Sequence, residues 1–202
     1  MKRCIYPIIL IFLTYGQISY QGKAVLNSDL TGKRIKLSLD NGYIHVQGWE
    51  KKSIEIYAYQ ESRLLDDKPL NFILIESAQT IQLHPEDQSG FYTYEIFAPY
   101  AINLDLTIHN TGFIRVNKIA GEIEANSSSG NIRLSETSGS AIVNSQTGTI
   151  FADFVSLNNK QHYAFSNAYG SVYLSIPDDS RVTFEISTVK GDAYSDFKLS
   201  VP

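Results

Sequence analysis

Glu122 and Glu124 are the residues whose spacing could support acid–base chemistry. Alternate residues of a β-strand face the same side, so these two residues lie about 7 Å apart at the backbone. Side chains could adjust that separation toward the one that glycoside hydrolases use for their paired carboxyl groups. Two exposed glutamates also keep an ordinary strand soluble, and no Asp or Lys/Arg cluster accompanies this pair. We therefore keep a carbohydrate-active enzyme as the alternative to a non-enzymatic protein.

The four histidines and the single cysteine do not indicate a metal site. His45, His84, His109 and His162 are scattered, without the His-x-His or His-Glu-x-x-His spacing of metal ligands. A calcium-binding β-roll needs an aspartate in every nonapeptide, whereas Asp153 is the only acid among the aligned turn positions here. No nucleophile elbow, phosphate loop or dinucleotide fingerprint occurs. We expect no catalytic residue, no cofactor and no bound metal.

Arginine and aromatic residues recur at 18-residue intervals and form a candidate binding surface. The stripe consists of two neighbouring columns of outward-facing positions: Phe113, Arg115, Asn131, Arg133, Phe151 and Tyr173. Aromatic rings interleaved with arginine on a flat face could stack on sugar rings or hold anionic groups. The alternative is that these side chains only cover a sheet, with arginine lying over the rings.

The elements that would position this stripe follow from a nine-residue glycine grid. Each glycine begins a unit of Gly-x-apolar-x-apolar followed by four mostly small, polar residues. The glycines of the grid are Gly112, Gly121, Gly130, Gly139 and Gly148. Five strand residues advance about 16–17 Å, so the remaining four must turn the chain. Residues 110–153 are therefore the most regular part of a repeat.

A finer period, twice the spacing of the glycines, predicts two strands and two corners per turn of a stacked structure. Asn126 and Asn144 then share one column, in which their side-chain amides can hydrogen-bond. Such stacking is typical of a β-solenoid, although an 18-residue turn and a longer three-sided turn both remain open. The period loosens after Gly148, so the segment 155–163 is predicted to be a loop inserted into one turn. The alternative is a β-sandwich, whose strands recur every 8–12 residues.

The rest of the chain also reads as strands, so the predicted class is all-β. Alternating apolar residues predict strands over 34–39, 43–46, 53–57, 70–75, 80–83, 92–98 and 101–108. Asn41-Gly42 is a turn signal between the first two of these segments. No stretch has an apolar stripe at helical spacing over three turns.

Residues 1–24 have the pattern of a signal peptide. Met1-Lys2-Arg3 is basic, the run from Cys4 to Tyr15 is apolar, and small residues allow cleavage between 16 and 24. Residues 25–202 would then form a single soluble domain without a transmembrane span, located in the periplasm, outside the cell or at its surface. The 202-residue chain has a net charge of −4, which gives no reason to expect nucleic acid as a partner.

The chain resembles the "putative adhesin" domain family of exported bacterial β-solenoid proteins. The resemblance covers about residues 33–198 and rests on the order of several short motifs. These are Asn41–Trp49, Phe97-Ala98-Pro99, the Thr/Ser-Gly-x-Ile units at 111–114, 129–132 and 147–150, and the segments 170–177 and 191–197. The resemblance implies a right-handed, β-helix-like fold and export, and it brings no catalytic motif.

These observations predict a non-enzymatic, exported β-solenoid that binds a partner at the cell envelope. The expected partner is a cell-surface polysaccharide or an envelope protein, and the alternative function is that of a carbohydrate-active β-helix enzyme. The chain ends at Pro202, soon after the last matching unit. We therefore also expect that the C-terminal edge of the solenoid could pair with another molecule.

Overall fold

The computed structural model describes residues 13–14, 17–62, 72–187 and 192–197, and among these it contains strands and no helix. None of the described residues therefore belongs to a helix that could span a membrane. The strands are β1 Leu13–Thr14, β2 Gln17–Leu26, β3 Arg34–Leu39, β4 Asn41–Trp49, β5 Ile54–Ser62, β6 Phe72–Glu76, β7 Thr80–Pro85, β8 Phe91–Pro99, β9 Asn103–Asn117, β10 Ile123–Thr137, β11 Ala141–Ser145, β12 Ile150–Phe154, β13 Tyr163–Asn167 and β14 Val172–Ser175. The prediction of an all-β protein is confirmed.

The strands form one mixed, open sheet that consists of two ladders. The long ladder runs β2-β5-β8-β4-β9-β10-β12-β14, and the short ladder runs β6-β7-β3-β9-β10-β11-β13. β9 and β10 have 15 residues each and belong to both ladders, because each strand pairs along its first half in one and its second half in the other. Pairing is antiparallel for β1–β2, β2–β5, β5–β8 and β6–β7, and parallel elsewhere.

The register between β10 and its partners β11 and β12, and between the second halves of β9 and β10, has the predicted 18-residue period. Ile132 pairs with both Ile114 and Ile150, and all three side chains are fully buried. Alternate side chains of both ladders contribute to one hydrophobic core, which is why the apolar residues recur at every second position. β12 ends at Phe154 and β13 begins at Tyr163, so the predicted inserted loop is confirmed.

Close approach between neighbouring strands explains the glycine grid. The glycines at 112, 130 and 148 stack in one column, and those at 121 and 139 stack in a second. A Cβ atom on Gly130 would lie 2.0 Å from the carbonyl oxygen of Gly112, and one on Gly139 would lie 1.8 Å from that of Gly121. The nine-residue period therefore reflects two alternating corners, each of which admits no side chain.

The turn signal at Asn41-Gly42 marks a corner and not a hairpin. Both residues lie in β4, and β3 and β4 do not pair with each other. Gly42 instead pairs with Gly112, with a φ of +148°, at the corner where the chain passes from the short ladder to the long one. An Asn-Gly pair supplies the backbone freedom that such a corner needs, and a two-residue hairpin needs the same freedom.

Two predictions fall at the ends of the described residues. The basic and apolar segments of the predicted signal peptide lie almost wholly outside them, and β2, which begins at Gln17, crosses the predicted domain boundary at residue 24. Gly191 also lies outside, and residues 192–197 form no strand.

Candidate binding face

The six residues of the predicted stripe lie together on the outer face of the long ladder, which we call the arginine–aromatic face. Arg115, Arg133, Phe151 and Tyr173 are consecutive partners on β9, β10, β12 and β14. Phe113 and Asn131 are partners in the next column. The alternation of each strand directs these side chains outward because the residues between them fill the core. The predicted placement is thus confirmed, and the binding role remains a prediction.

Phe151 is held between two other side chains of this face. The Arg133 guanidinium carbon lies 4.7 Å from the centre of the Phe151 ring. The Tyr173 ring is stacked on Phe151 with 5.0 Å between centroids and 10° between planes. Neighbouring strands of a ladder are about 4.7–4.9 Å apart, so a column of planar side chains stacks naturally in register. The ring of Phe151 therefore fixes the direction of Arg133.

Arg115 has a similar aromatic support on its own strand. Its guanidinium carbon lies 5.3 Å from the centre of the Phe113 ring, and His45 meets that ring edge-on with centroids 6.5 Å apart. Burial, together with the positive charge of Arg115, lowers the pKa of His45 below its ordinary value, although Glu95 opposes the shift. His45 is consequently neutral at pH 7, and the column carries its positive charge on the two arginines.

The face extends further than the sequence indicated. β4 pairs with β9 in register, which places Tyr43 beside Phe113 and His45 beside Arg115. β8 and β5 then continue the same surface with an aromatic cluster in which Phe97 lies 5.4 Å from Trp49 and 6.1 Å from Tyr57. Gly42-x-Ile44-x-Val46 repeats the glycine unit of residues 110–153, and this match was the signal that could have revealed the extension.

The two outer faces differ in how their charges are paired. On the outer face of the short ladder, Arg34 pairs with Glu122 and lies 4.0 Å from Glu124. Lys36 there lies 3.0 Å from Asp105. Among the described residues, neither Arg115 nor Arg133 has a carboxylate oxygen within the 4.0 Å of an ion pair.

A polar cleft of about 340 Å³ lies beside the corner between the ladders. The predicted asparagine column is present at this cleft, since Asn144 Nδ2 donates to Asn126 Oδ1 at 2.9 Å. Ser127, which is 7% exposed, also lines the cleft, and its hydroxyl has no hydrogen-bond partner among the described residues. Amides and hydroxyls thus line this cleft without a charged group.

The described part of the chain contains no group of three His, Cys, Asp or Glu side chains that could hold a metal. His45 belongs to the arginine–aromatic face, whereas His109 Nε2 lies 2.8 Å from the hydroxyl of Ser38 on the short ladder. The structure does not bring these two histidines together. Glu122 and Glu124 share a face as expected, and both contact Arg34 of β3.

Comparisons with known proteins give a likeness of fold. No protein-family model and no curated protein matches the sequence. Among solved structures, the chain is similar to the crystal structure of a "putative cell adhesion protein" from Clostridium sporogenes. The two share 9% identity with a TM-score of 0.52, and the match covers 78% of this chain and all of the other. At this identity the likeness concerns the arrangement of strands.

Proposed function

We propose that this protein is an exported, non-enzymatic, adhesin-like protein that binds a cell-surface polysaccharide or an envelope protein through its arginine–aromatic face. The observation that carries the proposal is the continuous outward column from Arg115 to Tyr173, which presents cations and rings on a flat, open surface. The likeness of fold to a protein described as a "putative cell adhesion protein" gives slight additional support.

The architecture that we propose is a right-handed β-solenoid of the adhesin family. Its support is that β9 and β10 run without interruption through both ladders and pair in parallel with each other along both halves. In a β-sandwich the two sheets usually consist of different strands joined by loops. Parallel crossover connections are right-handed in nearly all proteins, which is the reason for the proposed hand.

A binding role is favoured over catalysis by the surroundings of Glu122 and Glu124. Both carboxylates face Arg34, as charged residues do on an ordinary solvated strand. A general acid of a glycosidase instead needs an environment that keeps its carboxyl group protonated. Export is proposed because of the basic and apolar leader, and with it a location in the periplasm, outside the cell or at its surface.

The experiment is binding of the purified protein, in the form that the expressing cell processes, to a glycan array and to whole bacterial cells. We expect binding that is lost in the Arg133→Ala/Phe151→Ala variant. The matched control is Lys36→Ala/Ile142→Ala, which removes a cation and an exposed apolar side chain from the short ladder. Equal binding by both variants would contradict the proposal. Release of reducing sugar that Glu122→Gln or Glu124→Gln abolishes would establish the alternative enzyme.

We also propose self-association through β14. Val172 and Leu174 continue two columns of the core, yet they are 38% and 40% exposed because no described strand covers them. A second copy that pairs its β14 here would bury these side chains and satisfy the free strand edge. Light scattering should detect a dimer that Val172→Lys/Leu174→Lys converts to a monomer. A wild-type monomer at every concentration would refute this.

A further inference from the structure

We infer that the ligand of the arginine–aromatic face is an acidic polysaccharide, whose carboxylate or sulfate groups bind Arg115 and Arg133. This inference deepens the proposed function and rests on it. It assigns the arginines as the groups that touch the ligand, and it assigns Phe113 and Phe151 as residues that position them.

The two rings that contact the arginines, Phe113 and Phe151, are already occupied, whereas Tyr173 at the edge of the ladder is 57% exposed. Arg133 covers one side of the Phe151 ring and Tyr173 stacks on the other, so Phe151 has no free face for a sugar. Phe113 likewise carries Arg115 at 5.3 Å and meets His45 edge-on. A neutral glycan binds aromatic residues mainly by lying on an open ring face. The rings here instead hold guanidinium groups, which favours a ligand that guanidinium recognises.

The two arginines of the face can bind an anion, whereas Glu95, beside His45 on β8, lies on the same face two strands from Arg115. Arg115 and Arg133 are direct partners on neighbouring strands, so the backbones that carry these two positive charges lie about one ladder spacing, roughly 4.8 Å, apart. Neither has a carboxylate within ion-pair distance among the described residues, whereas Arg34 and Lys36 on the other face do. A guanidinium that lies flat on a ring still directs its N–H groups sideways, where they can bind carboxylate or sulfate in a bidentate manner.

A polymer fits this surface better than a single sugar. β9 and β10 each present one guanidinium on the open outer face of the ladder, so each anionic group makes only a small number of contacts. Linking several weak contacts along one chain raises the overall affinity without a deep pocket. A nucleic acid or an anionic membrane would also supply anions. The chain as a whole is acidic, with 17 Lys and Arg against 21 Asp and Glu, so its net charge is unfavourable to every polyanion alike. The reason for preferring an acidic polysaccharide is the proposed export to the cell envelope, where polysaccharides are exposed.

The experiment compares polygalacturonate with the same polymer after methyl esterification, which removes the charge and keeps the sugar backbone. Binding of the full protein to each immobilised polymer is measured between 20 mM and 500 mM NaCl. We expect binding to polygalacturonate that weakens with salt, and at least tenfold weaker binding to the esterified polymer. Arg115→Gln/Arg133→Gln should lose at least tenfold in affinity for polygalacturonate. Arg34→Gln/Lys36→Gln, which removes two positive charges from the other face, should bind like the wild type.

Two conservative variants test the assigned roles. Arg115→Lys/Arg133→Lys keeps the charge but loses the planar fork, so its affinity should lie between those of the wild type and the glutamine variant. Phe151→Leu keeps an apolar side chain but frees Arg133, and we expect about threefold weaker binding with an unchanged salt dependence. Circular dichroism confirms that each variant remains folded.

The outcomes separate this inference from the proposed function. Equal affinity for both polymers, lost in the Arg133→Ala/Phe151→Ala variant, would overturn the preference for acidic glycans and leave the binding face in place. Binding to neither polymer and to no glycan or cell would overturn the proposed function itself. Arginine-dependent binding to duplex DNA or to phosphatidylglycerol vesicles at least as strong as to polygalacturonate would overturn the assignment of a polysaccharide.

Discussion

Gly130→Ala is the substitution that tests the close approach of β10 to β9 most directly. The added methyl group would lie 2.0 Å from the carbonyl oxygen of Gly112 and 2.8 Å from its carbonyl carbon. Gly130 also has a φ of +153°, which an alanine rarely adopts. Since real Cβ atoms essentially never come within 3.0 Å of another atom, β10 would have to move from β9 by about 1 Å.

The cost of that movement can be worked out from its two parts. Backbone hydrogen bonds of a ladder have a narrow range of about 2.7–3.2 Å, so a shift of this size breaks the local pairing of two central strands. Overpacking of a core costs about 1–3 kcal/mol, and an unfavourable backbone conformation costs about 1–3 kcal/mol. Together they predict that the free energy of unfolding falls by about 2–6 kcal/mol. In urea this corresponds to a midpoint lower by roughly 1 M or more, for a slope of about 2–3 kcal/mol per M.

Gly32→Ala is the matched control. Gly32 has a φ of +69°, but no heavy atom lies within 4 Å of the position that its Cβ would take. This variant therefore has only the conformational cost, about 1–2 kcal/mol. Urea unfolding followed by circular dichroism compares the two variants with the wild type. If Gly130→Ala were no less stable than Gly32→Ala, close stacking would not be the reason for the glycine grid.

Four further predictions concern other parts of the molecule. The buried Tyr94 hydroxyl has no hydrogen-bond partner among the described residues, so Tyr94→Phe should unfold in urea at the wild-type midpoint or above it. If the free energy of unfolding fell instead by about 2 kcal/mol, the substitution would have left a buried polar group without its hydrogen bond, and the hydroxyl would have a partner after all. Burial also raises the pKa of Tyr94 above its ordinary value of 10.0, so the folded state retains this proton more strongly than the unfolded state, and the free energy of unfolding falls as pH rises above 10. Unfolding measured over a series of alkaline pH values should show a smaller fall for Tyr94→Phe than for the wild type. Asn144→Ala should cost about 0.5–1.5 kcal/mol in thermal or urea unfolding through its bond to Asn126, and no change would mean that the amide column contributes nothing. The intact mass of the purified protein should place signal cleavage after Gly16, because β2 begins at Gln17 and pairs with β5 along its length. Cleavage after Ala24 would show that the sheet forms without this strand.

The regular part of the fold could be predicted because its signal is local. Ile114, Ile132 and Ile150 occupy the same environment on neighbouring strands, so the sequence repeats wherever the structure does. The N-terminal strands could be recognised by alternation, but their partners could not. β5 pairs antiparallel with β2 and β8, and alternation carries no information about which strand lies beside another.

The candidate face was predicted in part for the same reason. The 18-residue period placed Arg133 between Arg115 and Phe151. It could not place Tyr43 or His45 there, since β4 lies far before its partner β9 in the chain and outside the repeating segment. The period also could not tell that Arg133 and Tyr173 cover both sides of Phe151, because that depends on side-chain conformation.

β9 belongs to both ladders, and this has a consequence for the order in which the strands fold. β10 follows β9 directly in the chain, whereas the strands from β5 to β8 lie between β9 and its partners β3 and β4. Closing a long loop costs more entropy than closing a short one, and non-local pairs form slowly. We therefore expect β9 and β10 to pair first and to serve as the template on which β3 and β4 assemble. In a chain that emerges N-terminus first, β3 and β4 cannot pair with β9 until Asn117 is free, whereas their other partners, β7 and β8, are available earlier.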